Sequence, residues 1–352
     1  MNEIHLDDRS IRENFYPFTA TRHVADIRIG ILTIREKWEQ LFGTRVIEKI
    51  PSGAKRVAMP AEFIPNKKLA EMIFKGEDFS QLLSDQSSVR KIEYPWQIFQ
   101  MNDEMLRIDY ELLTRNRRSK PISQTNRTLS PENIFVEEGA KVEYATLNAS
   151  TGPIYIGKDA EIMEGAMIRG PFALCHGGLV KMGSTIYGAT TIGPGSVVGG
   201  EIKNSVFFGY SNKGHSGYLG DSVIGEWCNL GAGTSNSNIK NNAGRVKVWN
   251  EFQKDFHFAG TKCGVLMGDY VQTAINTSLN TGTVIGPCAN VFGEGLSPKF
   301  IPSFSWGRAG KYELDKALEA IDRWKKLKNH SLSASEMQIL KHIFEESKLN
   351  LA

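Results

Sequence analysis

The chain has 352 residues, 41% of them hydrophobic and 23% charged, and a formal net charge of +3. This length predicts two domains and a small terminal appendage. So small a net charge disfavours a nucleic-acid binder whose affinity depends on a basic face, although local clusters of Arg and Lys could still hold phosphates.

Neither cysteine spacing nor hydropathy indicates a secreted or membrane protein. The cysteines form no CxxC pair and no metal-ligand spacing, so we expect small, buried apolar residues of a reducing compartment. They are Cys175, Cys228, Cys263 and Cys288. The first residues, MNEIHLDDRS, have no apolar stretch for a signal peptide, and no run approaches membrane-spanning length. A cytoplasmic location is the expectation.

The first 125 residues have a mixed α/β character. Residues Ile29 to Phe42 show helical spacing that Gly43 ends, and the stretch from Arg90 to Arg115 should contain at least one helix. A polar linker rich in Ser, Asn and Arg follows over residues 115–133. We therefore expect an α/β domain over residues 1–125.

The middle of the chain repeats with a period of six. Eight aliphatic residues follow one another in a single phase: Ile156, Ile162, Ile168, Leu174, Val180, Ile186, Ile192 and Val198. This period fits neither a helix nor an alternating strand, and chance alternation in a β-sandwich should lose phase within two or three units. It is typical of a triangular solenoid whose aliphatic residues point inward. We predict a left-handed parallel β-helix of hexapeptide repeats over residues 126–305.

Two segments interrupt this period. The phase breaks in NSVFFGYSNKGHSGYLGD, after Lys203, and again from Ser235 to Lys262. It resumes between them at Ile224 and Leu230, and afterwards from Met267 to Val291. Interruptions in solenoids commonly project as loops that carry chemistry.

The last part, 306–352, predicts a helical appendage. The segments YELDKALEAIDRWKKLKNH and SASEMQILKHIFEESK read as two amphipathic helices, the second opened by a serine cap. We expect them to pack on the outside of the solenoid end, where an open β edge would otherwise invite aggregation.

Polar residues cluster around the histidine of the first interruption. The segment K-G-H-S-G-Y-L-G-D, followed by E-W-C-N-L-G-A-G-T, resembles the acetyltransferase half of the bifunctional GlmU family over roughly residues 130–300. The polar insertion after GAGT and the segment VLMGDYVQTAIN are similar to the archaeal branch. The resemblance implies acetyl transfer from acetyl-CoA to glucosamine 1-phosphate, because a histidine suits deprotonation of the amine and amide groups suit stabilisation of the thioester oxygen.

The resemblance implies a role for each matching residue. It makes His215 the base, Asn229 an orienting residue, Tyr218 and Lys203 ligands of the sugar phosphate, Asn238 a residue near the acetyl group, and Lys247 a further lysine of the archaeal insertion. Four backbone positions would border the pantetheine arm of acetyl-CoA: Gly231, Ala232, Thr273 and Ala274. The sequence departs from the family at two places, where Thr185 replaces an upstream phosphate-binding arginine and Ile275 replaces a serine. Lys181 or Arg169 could take over from that arginine.

Each of these residues also has an ordinary structural interpretation. An isolated histidine in a glycine-rich loop is more often a solvated turn residue than a base. Asn229 and Asn238 could form a stabilising amide ladder of the kind seen in stacked β-structures, and Lys203 and Lys247 could be surface charges. It is the combination of residues at matching spacings that favours the site.

The start of the chain resembles an abbreviated GlmU-like group through PFTATRHVADIRIGILTIREKW and YPWQIF…DYELLT. In that group this region is a sugar nucleotidyltransferase domain, which implies uridylyl transfer from UTP with Mg²⁺. The usual glycine-rich L-x-x-G-x-G-x-R loop is missing, and the domain is short. The candidates for phosphate and metal are Asp7, Arg22 and Arg28, although the two arginines could equally be a structural charge pair.

Two other functions compete with acetyl transfer. The β-helix could be only a trimerisation or regulatory domain of a sugar-1-phosphate nucleotidyltransferase, or the chain could be a non-enzymatic trimeric scaffold. A γ-class carbonic anhydrase is disfavoured because His176, His215 and His257 are poorly spaced for zinc. The resemblance implies a homotrimer with sites between subunits. The sequence specifies neither the sugar epimer nor the nucleotide base.

Overall fold

The computed structural model describes residues 3–43, 46–47, 56–85 and 88–349. The N-terminal part is built on a parallel three-stranded sheet, in which Glu3–Asp7 lies between Val46–Ile47 and Arg56–Pro60. The described residues of this part also form five α-helices, the first of which lies between the first two strands in the chain. They are α1 (Ile34–Phe42), α2 (Lys67–Lys75), α3 (Ser80–Ser84), α4 (Gln97–Gln100) and α5 (Asn102–Thr114). Short 3₁₀ turns cover Arg12–Phe15, Phe18–Ala20, Val24–Asp26 and, ahead of the solenoid, Pro131–Asn133. The predicted α/β character is confirmed.

Helix α1 is shorter than its hydrophobic pattern indicates. It begins after Thr33, whose hydroxyl accepts the Glu36 N–H while the Glu36 carboxylate accepts the Thr33 N–H. This reciprocal cap stops the helix from extending back to Ile29. At the other end, Gly43 adopts a left-handed conformation with φ of 60° and ends the helix, as predicted.

Residues 127–306 form a parallel β-solenoid with three sheets, which we name A, B and C, and Gly310–Lys311 adds one antiparallel strand to sheet C. Sheet A contains Arg127–Leu129, Thr146–Asn148, Met167–Arg169, Thr185–Tyr187, Glu201–Lys203 and Tyr218–Gly220, and a separate pair, Ser235–Asn236 with Ser278–Leu279, follows on the same side. Sheet B contains Ile134–Val136, Ile154–Ile156, Phe172–Leu174, Thr190–Ile192, Val206–Gly209, Val223–Glu226, Val265–Met267, Thr283–Ile285 and Phe300–Ile301. Sheet C contains Lys141–Val142, Glu161–Ile162, Leu179–Val180, Val197–Val198, Asn212–Lys213, Asn229–Leu230, Gln272–Thr273, Asn290–Val291, Ser305–Trp306 and Gly310–Lys311.

The period of six corresponds to one side of each coil. Ile168 pairs with Ile186, Leu174 with Ile192 and Val180 with Val198, so each coil advances by eighteen residues. All eight aliphatic residues of the repeat are buried in one core inside the coils. The predicted solenoid is confirmed.

The first interruption does not project from the coils, and this part of the prediction is wrong. Residues 201–226 remain in the three sheets, and the coil from Val198 to its partner Lys213 is shortened to fifteen residues. The hexapeptide phase continues in a shifted frame through Phe207, Lys213 and Leu219, all of which are buried. The phase was hidden because a lysine occupies one of its inward positions.

The second interruption does project. It contains the antiparallel hairpin Lys247–Asn250 and Asp255–Phe258. The hairpin packs towards the N-terminal part, where the Gln100 side-chain amide donates to the Ala259 carbonyl at 2.7 Å. Val246, Val248 and Ala259 join a core that contains residues of the N-terminal sheet and helices.

The N-terminal part and the solenoid therefore share a hydrophobic core. Phe18 packs on Phe208 of sheet B with ring centroids 4.9 Å apart. On α5, Asn102 is fully buried and donates to the Ala189 carbonyl at 2.9 Å while accepting the Gly30 N–H at 2.8 Å. These contacts hold α5 against sheet B.

Two C-terminal helices, α6 (Leu314–Lys326) and α7 (Ala334–Leu349), complete the fold. Ser333 caps α7 as predicted, accepting the Glu336 N–H at 3.2 Å. The helices pack along the side of the solenoid rather than over its end, because the turns between sheets B and C present a row of apolar residues, four of them aromatic. That row is Tyr210, Trp227, Tyr270, Cys288 and Phe304.

The predicted burial of the four cysteines is confirmed, and all four are free. Within the described ranges, no helix is both long enough and apolar enough to cross a membrane.

Candidate active site

The polar residues of the first interruption meet where sheet C turns into sheet A. We name residues 214–217, Gly-His-Ser-Gly, the His215 corner. It joins the strand Asn212–Lys213 of sheet C to the strand Tyr218–Gly220 of sheet A. His215 and Ser216 are exposed there, while Lys213 and Leu219 on either side are buried. The corner thus presents an imidazole to solvent from a rigid β-scaffold.

The coil below leaves room for this corner. Its own turn between sheets C and A consists of only Gly199 and Gly200. A Cβ atom at Gly199 would lie 2.7 Å from the Gly214 carbonyl oxygen, and one at Gly200 would lie 2.9 Å from that of His215. Gly200 also has a φ of 76°, which favours glycine. Two glycines are therefore required for the close approach of the two coils.

A hydrogen-bonded cluster lies on sheet A, directly after the corner. The Asn238 side-chain amide donates to the Tyr218 hydroxyl at 3.1 Å and also to the Asp221 carboxylate. Asp221 is 4% exposed and accepts a second hydrogen bond from the Asn204 amide at 2.7 Å. Burial, aided by the Asp221 charge, raises the pKa of the Tyr218 hydroxyl well above its usual range, so this group stays neutral.

Lys203 lies beside this cluster. Its strand pairs with that of Tyr218, and Lys203 is opposite Gly220. The Tyr218 hydroxyl leans over Gly220, since a Cβ atom there would come within 2.2 Å of it. The Lys203 ammonium lies 5.7 Å from the centre of the Tyr187 ring and has no carboxylate partner among the described residues. It is therefore available to an anionic ligand.

Two further corners stack above the His215 corner. Residues 231–234 lie one coil up, where the Gly233 N–H donates to the Ser216 carbonyl at 3.1 Å. Residues 274–277 lie above those, where the Asn276 N–H donates to the Ala232 carbonyl at 2.7 Å. The four positions predicted to border pantetheine are thus adjacent in the structure. They are Gly231, Ala232, Thr273 and Ala274.

Two predicted residues lie apart from the Tyr218 cluster. Asn229 is on sheet C, in register between Asn212 and Gln272. Lys247 is exposed on the projecting hairpin, with its ammonium 5.4 Å from the Phe258 ring centre. Thr185 pairs with Glu201, so the row that leads to Tyr218 has no arginine at that position.

The N-terminal candidates are not brought together. Asp7, at the end of the first strand, binds Arg9, which lowers the pKa of Asp7 to about 2. Arg22 forms ion pairs with Asp269 and Glu226 of the solenoid. Arg28 donates to the backbone carbonyls of Phe208 and Ile31.

A separate cavity of about 300 Å³ lies between α1, α5 and the segment after the third strand. Lys37 and Asp109, a buried ion pair, are among its lining residues, whereas Asp7, Arg22 and Arg28 are not. Among the residues that the structure describes, no group of three or more His, Cys, Asp or Glu side chains could hold a metal ion.

Sequence reasoning missed Asp221 and Lys213. Asp221 belongs to the YLGD motif, and its buried carboxylate accepts the Asn238 amide and thereby orients it. Lys213 is 1% exposed inside the solenoid, and burial lowers its pKa to about 8. Counting back six residues from Leu219 would have indicated its inward position.

Residues 4–86 match a family model described as sugar nucleotidyl transferase. The chain is similar to a bifunctional sugar-1-phosphate nucleotidylyltransferase/acetyltransferase of Sulfurisphaera tokodaii, with 31% identity over 159 residues, 45% of this chain and 37% of that protein. It is also similar to the bifunctional protein GlmU of Methanocaldococcus jannaschii, with 33% identity over 117 residues, 33% of this chain and 26% of that protein. The matched stretches thus cover little more than a third of these relatives at most.

Among solved structures, the polySia-specific acetyltransferase NeuO aligns with 58% of this chain and 93% of its own, at 12% identity and a TM-score of 0.30. This similarity is too low for any inference. The family model and the bifunctional relatives agree with the two-part architecture, in which a region similar to sugar nucleotidyl transferases precedes a parallel β-solenoid, and in this the chain is similar to GlmU-type bifunctional proteins.

Proposed function

We propose that this chain transfers the acetyl group of acetyl-CoA to the amine of glucosamine 1-phosphate. The observation that carries the proposal is the exposed His215 imidazole on a rigid corner, next to the buried Asp221–Asn238–Tyr218 cluster. Such an arrangement combines a base that is open to a ligand with preorganised polar groups for a sugar. The bifunctional relatives support the same class of reaction.

In this mechanism His215 takes a proton from the sugar amine as the amine nitrogen attacks the thioester carbonyl. The new C–N bond forms, the C–S bond breaks, and the departing CoA thiolate recovers a proton from the His215 imidazolium. Lys203 holds the sugar phosphate, and Tyr218 and Asn238 orient the sugar. The backbone at Gly231–Ala232 and Thr273–Ala274 borders the pantetheine arm. The two residues outside the Tyr218 cluster contact substrate across a subunit boundary, where Asn229 orients it and Lys247 binds its phosphate.

Transfer is proposed to be direct, without an acetyl-enzyme. Cys228 is the cysteine nearest in sequence to the site. Burial raises the pKa of its thiol well above the usual range. Its sulfur also donates to the Gly268 carbonyl at 3.1 Å, so it is neither ionised nor accessible. Trapping of an acetylated cysteine would contradict this mechanism.

We propose a homotrimer, with each site completed by a neighbouring copy. A single chain leaves the His215 corner on an open edge, and the corners of other coils on that edge expose Met182 and Ile275 by 67% and 70%. Apolar groups so exposed are suited to a subunit interface. Light scattering should therefore report three copies per particle.

A second activity is favoured by the family match over residues 4–86. We propose that the N-terminal domain transfers a uridylyl group from UTP to the acetylated product, giving UDP-N-acetylglucosamine. Asp7 is the candidate ligand for Mg²⁺, since it lies at the carboxyl end of a parallel strand. Arg22 and Arg28 would have to leave their present partners to bind phosphates, which makes them the weaker candidates.

Two assays run in parallel test the proposal. Thiol release from acetyl-CoA is measured with glucosamine 1-phosphate, and pyrophosphate release is measured from UTP with N-acetylglucosamine 1-phosphate. Thiol release that is lost in His215→Ala supports the acetyltransferase. Pyrophosphate release without thiol release would reject it and leave the solenoid as a scaffold for a nucleotidyltransferase.

A further inference from the structure

The interior of the solenoid contains a lysine at a position that is aliphatic in the neighbouring coils. Lys213 is in register with Val198 on the coil below. On the coil above, Asn229 is in register with Asn212, so Leu230 is aligned with Lys213. Val198 and Leu230 are both buried in the apolar core. A lysine in such a place is costly unless its ammonium group is well satisfied.

The Lys213 ammonium is satisfied by backbone carbonyls of the corners. It donates to the His215 carbonyl at 2.9 Å, to the Gly199 carbonyl at 3.2 Å and to the Ser216 carbonyl at 3.4 Å. No carboxylate lies within ion-pair distance of it in the described part of the chain. Two of the three acceptors belong to the His215 corner itself, and the third to the two-glycine turn beneath it.

Three other corners on this edge bind backbone carbonyls through a hydroxyl of their fourth residue, which is Ser184, Thr234 or Thr277, whereas the corner at residues 163–166 ends in Ala166 and has no such hydroxyl. The Ser184 hydroxyl donates to the Lys181 carbonyl at 2.6 Å, and the Thr277 hydroxyl donates to the Ala274 carbonyl at 2.8 Å. The Thr234 hydroxyl also reaches the Ala274 carbonyl, at 3.2 Å.

The His215 corner cannot use this arrangement. Its fourth residue is Gly217, where φ is 118° and a Cβ atom would lie 2.2 Å from the Thr234 carbonyl oxygen. No hydroxyl is present at that position to bind a corner carbonyl. Lys213 supplies a donor from inside the coil.

We propose that Lys213 is a positioning residue, which holds the His215 corner from within the solenoid and thereby aims the imidazole at the amine of the substrate. The proposal rests on the acetyltransferase function proposed above. Lys213 does not touch the substrate, since its ammonium is enclosed by the core and the corner backbone. Its effect on catalysis passes through the backbone of His215 and Ser216.

The test compares Lys213→Met with Lys328→Met in the full chain. Lys328 is a matched control because burial also lowers its pKa to about 8 and its ammonium also binds a corner carbonyl, that of Gly195 at 2.6 Å, besides the Asn212 side-chain oxygen at 3.0 Å. Its corner lies on a different edge, between sheets B and C. We expect kcat to fall about 10- to 100-fold in Lys213→Met, with little change in either KM, because a small misplacement of a catalytic group has this size of effect. Lys328→Met should retain kcat.

Two further readouts separate positioning from general stability. The melting temperature of Lys213→Met should change little, because the loss of three hydrogen bonds is offset by the removal of a buried charge. In a His215→Ala background, Lys213→Met should cause no further loss of residual turnover, because both act through one group. An unchanged kcat, an equal loss in Lys328→Met, or additive losses in the double variant would each overturn the proposal.

A structural readout distinguishes failure of this proposal from failure of the proposed function. The Gly233 amide binds the Ser216 carbonyl, and the Asn276 amide one coil higher binds the Ala232 carbonyl. Amide-resolved hydrogen exchange of Lys213→Met should be faster at Gly233 and unchanged at Asn276. If the wild type shows no acetyl transfer, faster exchange would still place Lys213 as the residue that holds the corner, and unchanged exchange would reject it. Should Lys213→Met not fold, Lys213→Val, which introduces the residue found in register at Val198 and also lacks a donor, takes its place in the same comparisons.

Discussion

Two edges of the same solenoid differ in what their turns contain. Between sheets B and C, the turns of successive coils present large side chains, and α6 and α7 cover them. Tyr210 stacks on Trp227 at 4.4 Å, and His330 packs edge-on against both rings. Between sheets C and A, the turns around His215 consist mainly of glycine and small residues and stay open.

The difference shows how one repeat can serve two purposes. Turn residues point away from the core, so their identity is free to vary while the inward aliphatic residues keep the coils stacked. Large residues on the covered edge add buried apolar area and stabilise the fold. Small residues on the open edge allow close backbone approach and leave space for ligands. Substitutions on the two edges should therefore have separable effects on stability and on turnover.

The largest expected effect is on turnover at the open edge. His215→Ala should lower kcat by about two to four orders of magnitude, the usual contribution of a general base, with an unchanged melting temperature. The comparison is with His330→Ala on the covered edge, measured by thiol release and thermal denaturation. His330→Ala should lower the melting temperature and retain kcat. A stable, fully active His215→Ala variant would remove the base from the mechanism.

The next largest effect is on stability at the covered edge. Phe304 is fully buried and packs on Phe344 of α7 with ring centroids 5.1 Å apart. Phe304→Ala should lower the free energy of unfolding by about 3–5 kcal/mol through lost burial and a cavity. Phe252→Ala, at a position that is 61% exposed, serves as the control and should change it by less than about 0.5 kcal/mol. Chemical denaturation measures both, and similar losses would contradict the assignment of Phe304 to the covered core.

A smaller effect is expected on substrate affinity. Tyr218→Phe removes the hydroxyl that accepts the Asn238 hydrogen bond, which leaves a buried amide donor without this partner. The KM for glucosamine 1-phosphate should rise about 5- to 30-fold, which corresponds to about 1–2 kcal/mol, while the KM for acetyl-CoA stays constant. Tyr312→Phe on the covered edge is the control and should leave both constants unchanged. Equal KM values for Tyr218→Phe and the wild type would show that the Tyr218 cluster does not bind the sugar.

The smallest expected effect is on the stability that Glu336 of α7 contributes, which should depend on pH. Burial alone would raise the pKa of Glu336, but hydrogen bonds from Lys325 and Ser333 outweigh it and lower the pKa to about 2. The carboxylate therefore contributes stability above its unfolded pKa, and this contribution is lost as the pH falls towards 2. Glu336→Gln should cost about 1 kcal/mol at pH 7 and almost nothing near pH 2.

Thermal or chemical unfolding across this pH range measures the contribution of Glu336. Glu345→Gln, which removes an exposed ion pair with Lys348, should show no such pH dependence. If Glu336→Gln lowered the free energy of unfolding by the same amount from pH 7 to pH 2, the charge of Glu336 would not be the source of its contribution.

The regular coils could be predicted from sequence because every sixth side chain is aliphatic and points into the core. The same rule failed near His215 for a local reason, since Lys213 occupies an inward position and one coil is shortened at Gly199 and Gly200. The position of His215 and Tyr218 follows from a motif of consecutive residues. By contrast, the pairing of Arg22 with Asp269 spans 247 residues and leaves no local pattern. The side on which α6 and α7 pack was likewise hidden, because the residues they cover are spread over five separate coils.

The core shared by Phe18 and Phe208 has a consequence for modularity. The proposed boundary near residue 125 separates two sequence patterns, but it does not separate two independent folding units. Removal of the first 125 residues would expose Phe208, Leu266 and Val284 and would leave the Asp269 carboxylate without Arg22. The two parts should therefore melt in one calorimetric transition. In evolutionary terms, the solenoid of this chain cannot be transferred alone to another protein. Its apolar face would need a new N-terminal part with a matching surface.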